Sequence, residues 1–318
     1  MARNHSSSAR ALLVGALVLG QFCRSASASP DVLRSVDDTG SPEWFAPGLS
    51  EALERRGALP SGESDPNAPL DVDLVLHSLS GPALEGDLLE QTIQRQMEVL
   101  NAAFGIAGIR FRLAEVRRYP DSAYFDACFP TTEQGVQMKT ELAVDPARVV
   151  NVYACRLLLP YVAGYGSLPN EFPEDDARHG VVLDYGAFPG GAPPLDLGHT
   201  LVHEMGHYFG LLHTFQGGCD GEGDFVADTP AEAEPAYGCQ VGRNTCPQAG
   251  VDPVTNFMDY SDDACTDHFT AGQRSRMRSL LAELRPSLGQ VRTDMRPPGH
   301  STRPHDDLRS RLPRRPAL

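Results

Sequence analysis

The chain has 318 residues, of which 41% are hydrophobic, and its 30 Gly and 26 Pro suggest one sizeable core surrounded by loops. Its formal net charge of −15 at pH 7 argues against nucleic acid as a partner, because an acidic surface repels phosphate backbones. Beyond the N-terminal segment, no stretch approaches the roughly 20 apolar residues that a membrane helix needs. We therefore expect no membrane partner. We also expect the protein to be a monomer.

Residues 1–28 have the pattern of a secretory signal peptide. They begin with Arg3 and Arg10, continue through an apolar run over 11–22 and end in small residues. Of the seven cysteines, Cys23 leaves with this segment, and an even set in an exported chain predicts three disulfides. A zinc–thiolate cluster is the alternative, but no remaining pair has C-x-x-C spacing. The protein is thus expected to be secreted.

Residues 29–68 mix Pro, Gly, Ser and acidic residues around one helix-like stretch over 47–56. The pair Arg55-Arg56 would suit a processing protease, so we predict a propeptide here. Residues 291–318 are rich in Pro and Arg with almost no large apolar residues, which predicts a disordered tail. The folded domain is expected to occupy residues 69–290.

Periodic patterns within residues 69–290 predict an α+β fold with a small mixed sheet packed by helices. In chain order the predicted elements are a strand over 71–79, a helix over 86–104, a strand over 109–116, a helix over 133–143, strands over 149–157 and 180–185, and a closing helix within 269–284. Between His213 and the closing helix the chain becomes rich in Gly, Asp and Cys, which predicts an irregular half held together by disulfides.

The segment from His199 to His213 carries the residues for metal chemistry. His203 and His207 lie one helical turn apart, so both imidazoles can bind one zinc ion at about 2.0–2.1 Å. Glu204 follows His203 and can reach a water on that ion. Catalytic zinc needs a third protein ligand and an open position. His199 cannot supply it, because it would lie roughly 12 Å from His207 along the helix axis.

His213 can be that third ligand only if the helix ends after His207. In a continuous helix, His213 would face about 120° away and lie roughly 9 Å further on. Gly210 can adopt the left-handed conformation that ends a helix at this point. The full H-E-x-x-H-x-x-G-x-x-H pattern therefore predicts a three-histidine zinc site, against core histidines as the alternative. Neighbouring apolar residues are expected in the core: Leu201, Met205 and Phe209.

A second motif, Asn256-Phe257-Met258-Asp259-Tyr260, lies downstream. With the zinc motif, the Asp228-Thr229-Pro230 segment and the segment 269–273, it resembles the pappalysin family of metzincin metalloproteases over about residues 71–287, particularly the small secreted bacterial and fungal members. The resemblance implies a metzincin fold, with a cleft between an upper α/β subdomain and an irregular, disulfide-bonded lower one. It also implies a zinc endopeptidase acting on proteins or peptides.

The mechanism expected from these residues uses water as the nucleophile and Glu204 as general base. By the resemblance, Met258 forms a hydrophobic floor under the histidines, and Tyr260 stabilises the oxyanion. A gluzincin, with its third ligand from a distant Glu, is disfavoured by His213 at the required offset. A secreted, non-catalytic zinc- and calcium-binding module is the other alternative, but it would have no need of Glu204.

The acidic segment 220–229 offers closely spaced oxygen ligands that suit Ca2+. It resembles the calcium-binding loop of the family, with Asp224, Asp228 and Thr229 as candidate ligands, although a solvated acidic loop is the alternative. The resemblance also implies the disulfides Cys219–Cys246 and Cys239–Cys265, which leaves Cys128 with Cys155.

The S1′ pocket in this fold lies beside the residues that follow Tyr260. A carboxylate from Asp262 or Asp263 at its base would favour Arg or Lys at P1′ through a charge-assisted pair. If both carboxylates point away from the pocket, an apolar preference is expected.

Overall fold

The computed structural model describes residues 69–158 and 162–290. The predicted signal peptide (1–28), the propeptide (29–68) with its helix over 47–56, and the predicted disordered tail (291–318) lie outside the described residues. The described part covers most of the domain predicted over 69–290.

The fold is α+β, as predicted. Its strands and helices are β1 Leu70–Leu79, α1 Glu90–Gly105, β2 Ile109–Tyr119, α2 Glu133–Leu142, β3 Val149–Cys155, β4 Gly164–Gly166, β5 Val181–Asp184, α3 His199–Tyr208 and α4 Ala271–Leu284. They form a 5-stranded sheet in the order β2-β1-β3-β5-β4. All neighbouring strands are parallel except β4, which runs antiparallel to β5. The expected mixed sheet is thus confirmed, with β4 at one edge.

Most predicted elements match within a few residues, with two clear differences. The helix predicted over 86–104 begins at Glu90, because Gly86 has a φ of +78° and Leu89 is extended. Strand β4 is missing from the prediction, because three residues with the sequence Gly-Tyr-Gly show neither alternation nor strand propensity.

The core lies between the sheet and the helices. All seven residues of β3 are buried, as expected for a central parallel strand covered on both faces. Phe104 of α1 packs edge-on against Phe111 and Phe209, with ring centroids 5.3 and 5.5 Å away. Leu201, Met205 and Phe209 are buried in this core, as predicted. The hydrophobic face of α3 is therefore fixed against α1 and the sheet.

The second half of the domain is irregular. Among the described residues between Tyr208 and Ala271, the only strand-like pairing is an isolated bridge between Asn256 and His268. The structure forms the three disulfides implied by the family resemblance: Cys128–Cys155, Cys219–Cys246 and Cys239–Cys265. None of the described helices is long and apolar enough to cross a membrane.

Candidate metal centre and active site

Helix α3 is anchored at its N-terminus before the first histidine. The carboxylate of Asp263 accepts hydrogen bonds from the backbone N–H groups of Leu197 and His199, at 2.8 and 3.3 Å. These donors have no partner inside the helix, and the carboxylate also suits the positive end of the helix dipole. Gln96 of α1 donates to the carbonyl of Gly198 at 2.9 Å. Of the two carboxylates considered for a basic S1′ pocket, that of Asp263 thus bonds the start of α3.

The C-terminus of α3 ends at the predicted glycine. Gly210 has a φ of +93°. Its N–H donates to the carbonyl of His207 at 2.8 Å, and the N–H of Leu211 donates to the carbonyl of Gly206 at 2.9 Å. This pair of bonds is the Schellman motif, which ends a helix at a left-handed residue. The turn redirects the chain so that it can return to the helix it has just left.

The three predicted histidines converge on one point. The Nε2 atoms of His203, His207 and His213 lie 3.1, 3.1 and 3.2 Å from one another. Tetrahedral ligands at about 2.0–2.1 Å from zinc would be about 3.3 Å apart. Within the described part of the chain, no other set of three His, Cys, Asp or Glu residues could hold a metal. The donor set therefore fits zinc.

Hydrogen bonds orient two of the rings for metal binding. The Nδ1–H of His203 donates to the carbonyl of Phe257 at 2.7 Å, and that of His207 donates to the carbonyl of Leu211 at 2.9 Å. Each bond fixes the tautomer whose Nε2 lone pair faces the common point. Burial lowers the pKa of His203 and of His213 well below the usual value, which keeps both rings in the neutral, ligating form.

Glu204 is fully buried beside this cluster, in close contact with β4. A Cβ added at Gly164 would lie 2.7 Å from Cγ of Glu204, and one added at Gly166 would lie 2.2 Å from its carbonyl oxygen. The edge strand can approach α3 only because both positions are glycine. Neither glycine is among the site residues predicted from the sequence. The Gly-x-Gly pattern shortly before β5 is the sequence feature that could have identified them.

Met258 and Tyr260 lie next to the histidines. Met258 is fully buried, and its carbonyl accepts the N–H of Thr214 at 3.3 Å. The ring of Tyr260 lies 4.7 Å from that of His213 and 5.8 Å from that of His203, measured between centroids. The residues expected below and beside the metal are thus brought to the same place as its ligands.

The three candidate calcium ligands have different surroundings. Asp224 is buried, which raises the pKa of its carboxyl to about 7. Its carboxylate accepts the N–H of Val226 at 3.0 Å and lies close to the hydroxyl of Thr229. Asp228 instead accepts hydrogen bonds from Thr270 Oγ1 at 2.7 Å and Gly272 N–H at 2.8 Å, at the start of α4. Asp224 and Thr229 therefore bring two buried oxygen atoms together, while Asp228 caps a helix.

Comparison with known proteins identifies the family. The family model described as Pregnancy-associated plasma protein-A matches residues 136–282. The chain is 37% identical over 272 residues to extracellular metalloprotease 1 of Coccidioides posadasii, which covers 83% of this chain and 95% of that protein. The chain belongs to the pappalysin family. A second relative, an extracellular metalloprotease of Pyricularia oryzae, is 40% identical over 221 residues, covering 68% of this chain and 76% of that protein.

Solved structures agree with this pappalysin assignment. Mature mirolysin of Tannerella forsythia, in complex with a cleaved peptide, superposes with a TM-score of 0.62 at 25% identity, covering 70% of this chain and 96% of that chain. A promirolysin mutant from the same organism gives a TM-score of 0.64 at 25% identity, covering 76% and 90%. The protein is an extracellular metalloendopeptidase of the pappalysin family, as the sequence motifs predict.

Proposed function

We propose that this metalloprotease hydrolyses internal peptide bonds with a zinc ion held by His203, His207 and His213 and with Glu204 as general base. The observation that carries the proposal is the convergence of three buried Nε2 atoms 3.1–3.2 Å apart. Glu204 lies on the same helix, one residue after the first ligand. Zinc and a buried carboxylate in this arrangement are the components of metal-assisted peptide hydrolysis.

The residues of the chain then have separate roles. Bound zinc supplies Lewis-acid polarisation of the scissile carbonyl and of a water molecule. Glu204 takes a proton from the attacking water and delivers it to the leaving amine. The hydroxyl of Tyr260 donates a hydrogen bond to the oxygen that becomes negative as the water attacks. Met258 packs beneath the histidines and excludes water from that side.

An extended peptide is the substrate that suits this site. Of the described strands, β4 pairs only with β5, so its other edge can accept a further strand. Gly164 and Gly166 bring that edge directly against Glu204. A substrate strand added there would place its backbone beside the general base. The cleaved peptide in the mirolysin complex is consistent with such a substrate class.

Calcium binding at the 220–229 segment is a second proposal. It is supported by the buried oxygen atoms of Asp224 and Thr229, which lie close together. Asp228, the third candidate ligand, would have to give up its hydrogen bonds to α4 to join them. The nearby Arg276, which lowers the pKa of Asp224, opposes a cation at this position.

The variant Glu204→Gln tests the proposed mechanism. Gln keeps the shape of the side chain but cannot accept the proton, so turnover should fall by about 10²–10⁴-fold while one zinc per chain is retained. The matched variant His213→Ala should lose zinc, measured by elemental analysis after gel filtration. Normal cleavage of a denatured protein substrate by Glu204→Gln would reject the general-base role. A zinc-loaded, processed wild-type protein without any proteolysis would favour the non-catalytic module.

A further inference from the structure

The third zinc ligand comes from an irregular loop, and the next residue is tied down on two sides. Thr214 is buried, and its N–H donates to the carbonyl of Met258 at 3.3 Å. Its hydroxyl donates to Oε2 of Glu232 at 2.9 Å, and Glu232 is fully buried. The residue that follows His213 is thus linked to a carboxylate 18 residues further along the chain from Thr214.

The other oxygen of Glu232 is held by an arginine. Oε1 accepts a hydrogen bond from Nη1 of Arg243 at 2.5 Å. The same guanidinium nitrogen lies 3.2 Å from the carboxylate of Asp252 and donates to the carbonyl of Glu234 at 3.0 Å. The side chain of Arg243 is only 12% exposed. The ion pair of Glu232 and Arg243 therefore joins the loop after His213 to the segment between Cys239 and Cys246.

The cluster also touches the turn that contains Met258. The carboxylate of Asp259 accepts the N–H groups of Ala236 and Tyr260, and its charge helps to raise the pKa of Glu232. Two buried carboxylates, of Glu232 and Asp252, thus contact one guanidinium, and that of Asp259 lies near enough for its charge to act on Glu232. Buried carboxylates in such numbers are expensive unless each is well placed. Glu232 contacts the residue after His213, and Asp259 follows Met258, which indicates a role in aligning these two segments.

We infer that Glu232, held by Arg243, is a positioning residue that sets the place of His213 through Thr214 and thereby raises the affinity for zinc. The inference rests on the proposed zinc site. Zinc ligands must be held within a few tenths of an ångström, and loops hold them less well than helices. His203 and His207 are fixed by α3. The Thr214–Glu232 contact supplies a comparable restraint to the ligand that α3 does not carry.

Two pairs of variants test the inference, with zinc affinity measured by competition with a chelator. Thr214→Val removes the hydroxyl at nearly constant shape and should weaken zinc binding by about ten-fold, the lower end for residues that orient metal ligands. Thr214→Ser restores the hydroxyl and should recover most of that loss. Glu232→Gln, which can still bond both neighbours, should bind zinc more tightly than Glu232→Leu. The control Glu234→Gln changes an exposed partner of Arg243 and should bind zinc like the wild type.

A structural role alone gives a different result. The melting temperature of the zinc-free protein should then fall in Thr214→Val while zinc affinity stays at the wild-type value, and this outcome would overturn the inference. Equal affinities for Thr214→Val and Thr214→Ser would do the same. If the wild type itself fails to bind one zinc per chain, the proposed zinc site is wrong, and the inference falls with it.

Discussion

The sulfur atom of Met258 lies directly against Gly206, where an added Cβ would come within 2.4 Å of it. Met258 is fully buried, so its side chain has little room to withdraw. The helix that carries His203 and His207 and the turn that contains Met258 therefore touch at a point that admits no methyl group.

Gly206→Ala should destabilise the protein by about 1–3 kcal/mol, the usual effect of overpacking a core. The sign of this stability change is informative, because Ala is otherwise favoured over Gly in a helix by about 1 kcal/mol. Urea denaturation of the zinc-loaded protein measures the change. Gly105→Ala is the matched control: a Cβ there meets nothing within 4 Å, so the variant should be neutral or stabilised.

Gly166→Ala should reduce kcat/KM by about 100-fold, because its Cβ must push β4 away from the backbone of Glu204 and misplace the substrate by about 1 Å. Zinc content should stay at the wild-type value, since no metal ligand moves. Peptide cleavage assays and elemental analysis on the same sample give both values. Wild-type kcat/KM in this variant would argue against β4 as the substrate strand.

Tyr260→Phe should lower kcat by about 10²–10³-fold with little change in stability. The ring keeps its packing on His213, and only the hydroxyl donor is lost. Tyr237→Phe is a suitable control, because its ring lies 6.5 Å from that of Tyr260 and 45% of the residue is exposed. An unchanged kcat in Tyr260→Phe would remove the oxyanion role.

The contribution of Glu232 to the free energy of unfolding should fall as the pH rises from about 4.5 to 8. Burial, with help from Asp259, raises the pKa of Glu232 from 4.5 to about 8. In this interval the folded protein keeps a proton that the unfolded chain has released, so deprotonation favours unfolding by at most about 1.4 kcal/mol per pH unit. Glu232→Gln mimics the neutral form and should remove this contribution to the change of the free energy of unfolding with pH. Denaturation curves of the wild type and of Glu232→Gln at pH 5 and 8 measure the difference. An equal change in the free energy of unfolding between the two pH values in both proteins would contradict the raised pKa of Glu232.

Millimolar calcium should raise the melting temperature if Asp224 and Thr229 bind it. Binding to the folded state alone adds about 2.7 kcal/mol at 100 times Kd. Asp224→Asn should abolish the shift, whereas Asp220→Asn should retain it, because Asp220 is exposed. The measurement needs a chelator that spares zinc. Equal melting temperatures with and without calcium in the wild type would reject the proposal.

The clustering of the three histidines could be predicted from sequence because local geometry relates them. His203 and His207 share one helical face by spacing alone, and the position of His213 then requires a helix end, which Gly210 provides. Each step uses residues fewer than a dozen positions apart. The Schellman motif at Gly210 is the structural counterpart of that reasoning.

Contacts between distant segments could not be predicted in this way. Asp263 reaches the N–H of Leu197 across 66 residues, and no periodicity in either segment marks the pair. The irregular half places Glu232 against Thr214 without any repeating pattern. Strand β4 is defined by pairing with β5 and not by its own three residues. Such features depend on tertiary structure, which one sequence does not encode as a local signal.

The disulfides Cys219–Cys246 and Cys239–Cys265 interleave along the chain. Four cysteines can pair in three ways, and the pair nearest in sequence, Cys239 with Cys246, is not a native one. Loop closure favours that short-range bond during oxidation, although it is incompatible with the final structure. Maturation should therefore require thiol–disulfide exchange before the loops carrying Thr214 and Tyr260 can settle. The histidine cluster contains no cysteine, yet its assembly should thus depend on correct disulfide pairing in the irregular half.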